Sequence, residues 1–174
     1  MRVERTRLAG LLLIEPDVFA DERGFFLETF SARQYADAGI TARFVQDNHS
    51  RSTQGTVRGL HFQPGQAKLV RAARGRVWDV AVDIRRDSPT FGEWEAFELD
   101  DVEHRQLFVP DGFAHGFCAL SDVADVCYKV DAFYDRARER GIAWDDPALA
   151  IPWPIEHPNL SERDRRNPPL AETV

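Results

Sequence analysis

An all-β sandwich or small barrel is the architecture this sequence predicts, and three observations carry it. Apolar and polar residues alternate over many short runs, the period of a half-buried strand. Ten prolines and eleven glycines are spread evenly along the chain, which suits frequent tight turns. No run has the length and 3.6-residue period of a long helix. Chains of this kind bury their apolar faces by packing sheet on sheet.

The elements follow in order. Leu11 to Pro16 reads as a first strand, and Gly24 to Phe30 as a second after the turn Asp21-Glu22-Arg23. Ser31 is placed to cap a short helix over Ala32 to Ala38, which Gly39 stops. Strands are then expected near 42–47, 56–63, 67–74, 76–84, 94–100, 105–109, 113–120 and 124–131. Pro64-Gly65, Ser88-Pro89 and Pro110-Asp111-Gly112 break several of them apart. In the proline-rich tail, Leu160 to Asp164 reads as a short helical turn. Neither a repeat nor a linker interrupts the pattern, so residues 1–174 are expected to form one domain with a full core.

Composition narrows the function. A net charge of -7 argues against nucleic acid as a partner, so any anionic ligand must be met by local cations. No stretch approaches the ~18 apolar residues of a membrane span. Leu11-Leu12-Leu13-Ile14 is too short for a secretory core segment, and the expected location is cytoplasmic. The two cysteines, Cys118 and Cys127, would face each other if Ser121-Asp122-Val123-Ala124 were a hairpin turn. In the cytoplasm they are expected as thiols.

The chemistry-bearing residues lie on successive strands. His61 sits among apolar neighbours in Val57-Arg58-Gly59-Leu60-His61-Phe62-Gln63. Alternation puts Val57, His61 and Gln63 on one face and turns Arg58 away, unless a bulge at Gly59 shifts the register. Tyr128 shares the inward face with Val126 and Val130, and hairpin pairing would set it opposite Phe117, on the face of His115. A metal-binding barrel would carry His-x-His here, but the second position is Gln63. What remains suits proton abstraction beside a carbonyl. That reaction needs a base, a group to hold the enolate oxygen, and an acid on the opposite face. His61 suits the first role, Lys68 the second and Tyr128 the third; Asp164 could orient His61.

A second set suits a nucleoside diphosphate. Arg23, Arg58 and Arg71 or Arg74 offer guanidinium forks for phosphate oxygens. Phe26 and Tyr134 offer faces on which a base can stack. Gln46, Asn48 and Glu28 offer hydrogen bonds to base or sugar.

These residues stand in ordered segments. Among them are Arg23-Gly24-Phe25-Phe26-Leu27-Glu28, Gln46-Asp47-Asn48-His49-Ser50, Arg58-Gly59-Leu60-His61-Phe62-Gln63 and Lys68-Leu69-Val70. Further along come Val82-Asp83-Ile84-Arg85, Pro110-Asp111-Gly112-Phe113-Ala114-His115-Gly116-Phe117, Tyr128-Lys129, Ile142-Ala143-Trp144-Asp145-Asp146-Pro147 and Leu160-Ser161-Glu162-Arg163-Asp164. Over nearly its whole length the chain resembles the dTDP-4-dehydrorhamnose 3,5-epimerase family.

The resemblance implies a double-stranded β-helix (cupin or jelly-roll) barrel with short peripheral helices. It implies a homodimer with N-terminal strand exchange, and neither metal nor organic cofactor. The implied substrate is a dTDP-4-dehydro-6-deoxysugar, epimerised at C3 and C5 to dTDP-4-dehydro-L-rhamnose for dTDP-rhamnose biosynthesis. By the same resemblance His61 is the base paired with Asp164, Tyr128 the acid, and Lys68 the partner of the C4 oxygen. Arg58 and His115 contact the substrate, Tyr134 stacks on thymine, and Gln46 with Asn48 lines the nucleotide site. Arg23, Phe26 and Glu28 reach the nucleotide, and Glu139 and Arg163 match further substrate-binding positions.

Two features depart from the family pattern. The loop Pro64-Gly65-Gln66-Ala67 is shorter than in many members, and Arg163 stands where many have lysine. Some short-loop relatives invert one centre only, so a C3-only epimerase or a ketoisomerase of a related dTDP-sugar is the nearest alternative. A metal-dependent cupin oxygenase and a non-catalytic sugar-binding cupin are the distant ones.

Overall fold

Thirteen strands organise the computed structural model, which describes residues 1–174. Strands β1 (Arg2–Arg5) and β2 (Leu12–Glu15) open the chain, and β3 (Val18–Asp21) and β4 (Gly24–Leu27) form a hairpin of their own. Helix α1 (Ala32–Asp37) leads to β5 (Gln46–Thr53), β6 (Val57–Phe62), β7 (Lys68–Arg74) and β8 (Arg76–Asp83). Then come β9 (Trp94–Asp100), β10 (Gln106–Val109), β11 (Phe113–Ala119), β12 (Val123–Val130) and the short β13 (Arg140–Gly141). A 3-10 turn (Asp164–Arg166) and helix α2 (Leu170–Thr173) end the chain.

Two antiparallel sheets face each other. One runs β1-β2-β10-β7-β12-β5 and the other β13-β6-β11-β8-β9. From β5 to β8 the chain changes sheet at every connection, and β10, β11 and β12 alternate again. This is the winding of a double-stranded β-helix, the expected jelly-roll class. The sheets keep open edges and do not close into the barrel that was expected.

Alternation explains the layers. On β7, Lys68, Val70 and Ala72 point between the sheets; on β12, Ala124, Val126 and Tyr128 do the same. They meet Val77 and Ala81 of β8 and Phe113 and Phe117 of β11 in the central core. Val80, Val82, Ala114 and Cys118 face outward from the second sheet, where Ile142, Leu149, Trp153 and Leu170 of the tail cover them. Asp146, buried in this layer, accepts hydrogen bonds from the backbone N–H groups of Ala148 at 2.7 Å and Leu170 at 2.6 Å. The tail is thus fastened to the sheet, and it carries Asp164 back towards β6. Tyr35 and Ile40 cover the outer face of the first sheet with Ile14 and Leu69.

Several local expectations change. The strand expected near 42–47 runs from Gln46 to Thr53. β5 is an edge strand whose inner side chains line a polar cavity, so apolar periodicity marks its approach and not the strand. β1, β3 and β13 had no strand signal: they are short, and β1 and β3 are largely exposed. The hairpin expected between β11 and β12 does not form, because β12 pairs with β5 and β7 while β11 pairs with β6 and β8. Cys118 and Cys127 therefore lie in different sheets as free thiols, and Tyr128 is paired with Asn48 and Val70, not with Phe117. Ser31 occupies the cap position of α1 without a capping hydrogen bond, while Gly39 ends the helix at φ +91°. The helical turn of the tail begins at Asp164, four residues later than expected.

Candidate active site

A cavity of about 560 Å³ opens between the sheets. β5 contributes Gln46, Asn48 and Ser50, β7 contributes Lys68, and β12 contributes Tyr128. From the other sheet come Arg58 and His61 of β6 and His115 of β11, and the tail adds Arg163 and Asp164.

Arg58 and His61 both reach the cavity because the register slips between them. His61 faces His115 and Arg58 faces Phe117, so Gly59 and Leu60 together oppose Gly116. The bulge at Gly59 is therefore present, and it sends Val57 outward into the second core. Its glycines are required by contact. Gly59 sits at φ +142°, and a Cβ there would lie 2.6 Å from the Gly116 Cα.

His61 Nε2 lies 2.5 Å from Asp164 Oδ1. Burial pushes the Asp164 carboxyl up, but the hydrogen bond and charge of His61, the Ser161 hydroxyl and Arg163 outweigh it, and the net shift is downward. Asp164 is thus an ionised acceptor, so Nε2 carries the hydrogen and Nδ1 is the nitrogen free to take a proton. Ser161 Oγ accepts from the Asp164 backbone N–H at 3.0 Å and fixes the turn.

Lys68 is buried, and its Nζ donates to the His61 carbonyl at 3.1 Å. Burial pulls its pKa down to about 8, while Glu139 and Asp79 hold it from falling further. The ammonium is thus still mostly charged at neutral pH. Burial also raises the Tyr128 phenol, and the Glu139 charge adds to this against Arg58. Tyr128 therefore keeps its proton and can act as an acid.

A second histidine–carboxylate pair lies beside the first. His115 Nε2 donates to Asp79, at 2.9 and 3.0 Å from its two oxygens, and Asp79 is fully buried. Sequence reasoning missed Asp79. The available signal was an acid on the inward face of the apolar strand Val77 to Ala81, since a buried carboxylate needs a partner.

The far end of the cavity is polar. Gln46 Nε2 donates to Asn48 Oδ1 at 2.8 Å, and the Tyr134 backbone N–H donates to Gln46 Oε1 at 3.1 Å. The Tyr134 hydroxyl donates to Glu139 Oε2 at 3.0 Å, and Arg163 closes an ion pair on the same oxygen. Arg58 is held by Ser52 Oγ at 3.0 Å and the Arg51 carbonyl at 3.1 Å. Ser50 Oγ also lines this end, buried and without a protein partner. Eleven of the fourteen expected site residues line this one cavity: His61, Tyr128, Asp164, Lys68, Gln46, Asn48, Arg58, His115, Tyr134, Glu139 and Arg163.

The model of the dTDP-4-dehydrorhamnose 3,5-epimerase family matches residues 5–172. The chain belongs to that family. A dTDP-4-dehydrorhamnose 3,5-epimerase of Shigella flexneri is 51% identical over 168 residues, 94% of this chain and 93% of its own length. The dTDP-6-deoxy-D-glucose-3,5-epimerase of Legionella pneumophila, solved in complex with dTDP-4-keto-L-rhamnose, superposes with a TM-score of 0.95. It shares 48% identity, over 98% of this chain and 93% of its own. A dTDP-4-dehydrorhamnose 3-epimerase of Streptomyces niveus is 46% identical, over 99% of this chain and 85% of its own. The epimerase family thus contains close relatives named for one centre as well as for two.

The remaining residues lie elsewhere in this epimerase chain. Arg23 sits at the turn of the β3–β4 hairpin, paired with Asp21 at 2.5 Å. Phe26 is two-thirds exposed on the same hairpin, and Glu28 just beyond it accepts from Gln34 at 2.9 Å. None of the three lines the cavity, and neither do Arg71 and Arg74.

Proposed function

We propose that this epimerase inverts C5 and then C3 of dTDP-4-dehydro-6-deoxy-D-glucose, giving dTDP-4-dehydro-L-rhamnose. The observation that carries the reading is a carboxylate-backed imidazole, a buried ammonium and a protonated phenol in one cavity. His61 Nδ1 removes the C5 proton, and the C–H electron pair moves into an enolate whose negative oxygen is at C4. Lys68 donates a hydrogen bond to that oxygen. Tyr128 delivers its proton to C5 from the opposite face, and solvent then resets His61 and Tyr128. The C4 carbonyl adjoins C3 as well, so the same cation serves the second inversion. No electrons enter or leave, so the residues suffice without a redox cofactor.

Binding follows the same logic. Tyr134 stacks on thymine, Gln46, Asn48 and Glu139 meet the nucleotide, and Arg58 and Arg163 contact the substrate, with His115 held by Asp79 against the sugar. Arg23, Phe26 and Glu28 act in the cavity of a second copy, which makes the working unit a homodimer built by N-terminal strand exchange. The exposed Phe19, Phe25 and Phe26 of the hairpin support this, since such a patch needs cover. Residues 1–174 act as one epimerase domain. Its place is the cytoplasm, where free thiols such as Cys118 and Cys127 stay reduced.

Proton NMR of the substrate with enzyme in deuterium oxide tests the reaction. Deuterium at both carbons, with a reductase carrying the product on to dTDP-L-rhamnose, supports the double inversion. Deuterium at C3 alone supports the second reading, a C3 epimerase, which the short 64–67 loop and the 3-epimerase of Streptomyces niveus favour. Absence of exchange at either carbon refutes both.

A further inference from the structure

We infer that Gln63 is a positioning residue for Tyr134. The inference rests on the reading that Tyr134 stacks on the nucleotide base. Gln63 follows His61 by two residues and is buried at 3% exposure. Its amide Nε2 donates to the Phe133 carbonyl at 3.0 Å, and its Oε1 accepts from the Asp135 backbone N–H at 2.8 Å. One side chain therefore clamps the backbone on both sides of Tyr134, as a neighbouring strand would.

The chemistry of that clamp is specific. A carboxamide carries a donor and an acceptor on one plane, matching a carbonyl and an N–H two residues apart. Glutamate keeps only the acceptor, and methionine keeps the volume with neither. The clamp matters because the segment is otherwise exposed: Phe133 is 71% and Tyr134 53% accessible. A loose aromatic at the mouth must be ordered when nucleotide binds, and that entropy cost weakens binding. Gln66 extends the fastening by donating to the Ala132 carbonyl at 2.9 Å. Gln63 thereby couples the strand that carries the base to the aromatic that seats the nucleotide.

Calorimetric titration with dTDP and steady-state epimerisation test the inference. In Gln63→Met, the Kd for dTDP and the KM should both rise about tenfold. The kcat should change by less than about threefold, because His61 and Lys68 are untouched. Gln63→Leu, which also lacks both hydrogen-bonding atoms, should behave alike, and it serves alone if the methionine variant does not fold. Tyr134→Ala should weaken dTDP binding about tenfold or more. In that background Gln63→Met should add less than about twofold. Multiplying effects would overturn the inference, since Gln63 would then act independently of Tyr134. Unchanged dTDP binding in the Gln63 variants, with Tyr134→Ala impaired, would sink the inference alone. Unchanged binding in Tyr134→Ala would sink the stacking reading and this inference with it.

Discussion

Asp164→Asn separates charge from shape at the centre of the mechanism. The carboxylate is 4% exposed and bonded to His61 at 2.5 Å. When His61 takes the substrate proton, the neutral imidazole becomes an imidazolium, and the bond to Asp164 becomes a buried ion pair. Losing one member of such a pair costs about 3 to 4 kcal/mol, roughly two to three powers of ten in rate. Asparagine also offers an N–H where the carboxylate offers a lone pair, so the imidazole turns over its tautomer and Nδ1 is no longer free. Both effects act on proton removal. The kcat for deuterium incorporation at C3 and C5 should therefore fall about 10²- to 10³-fold, while the Kd for dTDP stays within about threefold. Stability should fall by about 1 to 2 kcal/mol, because the fold favours the Asp164 carboxylate and asparagine keeps only part of its hydrogen bonding. NMR exchange rates, dTDP titration and thermal melting measure all three. An Asp164→Asn protein that exchanges within about threefold of the native rate would refute the role of the pair.

Three further residues carry expected outcomes. Tyr128→Phe leaves the base intact and removes the opposite-face acid, so deuterium should still wash into the substrate while inverted product falls about 10²-fold or more; equal loss of both signals would contradict the division of roles. Lys68 is held at about 8, so kcat/KM should decline as pH rises above that value. Its folded pKa lies below its ordinary 10.5, so the charged form costs stability at pH 7, and Lys68→Met should melt no lower than the native chain while losing about 10²-fold in kcat. Asp83 is fully buried and accepts from Arg85 at 2.7 Å, Ser88 at 2.5 Å and Thr90 at 2.6 Å. Asp83→Asn should lower stability by about 2 to 4 kcal/mol in denaturant titration. The Asp83 carboxyl lies below its ordinary 3.8, so its contribution is present above that pH and lost as pH falls through the folded value.

The strands that build the core are legible in the sequence because both their faces carry a signal. β8 and β11 alternate between two apolar layers, and β7 and β12 set an apolar inner face against an outer face that carries Arg71, Asp125 and Lys129, so parity alone turns Tyr128 and Lys68 inward. Arg58 is legible only through Gly59, where a glycine mid-strand marks the bulge that brings it beside His61. β5 is illegible because its inner face lines the polar cavity and not the core. Pairing is the harder matter. A two-to-four-residue turn normally joins neighbours in one sheet, but residues 120–122 join strands in opposite sheets. Asp164 lies 103 residues from His61 in an irregular tail, and no periodicity links the two. That contact depends on Asp146 and the tail's apolar side chains covering the second sheet.

The paired strands β6 and β11 also account for the absence of a His-x-His signature. In a metal-binding site, His61, the side chain at position 63 and His115 would turn their free nitrogens to one point. Here each is committed to a different partner. His61 gives Nε2 to Asp164, His115 gives Nε2 to Asp79, and Gln63 spends both amide atoms on the backbone around Tyr134. Those commitments are what the proposed roles of base, substrate contact and loop anchor rest on. The two carboxylates do not bar a metal, since each takes only Nε2 of its imidazole. What distinguishes the position is Gln63, whose amide is engaged by the backbone around Tyr134 where a metal-binding barrel would carry a further imidazole.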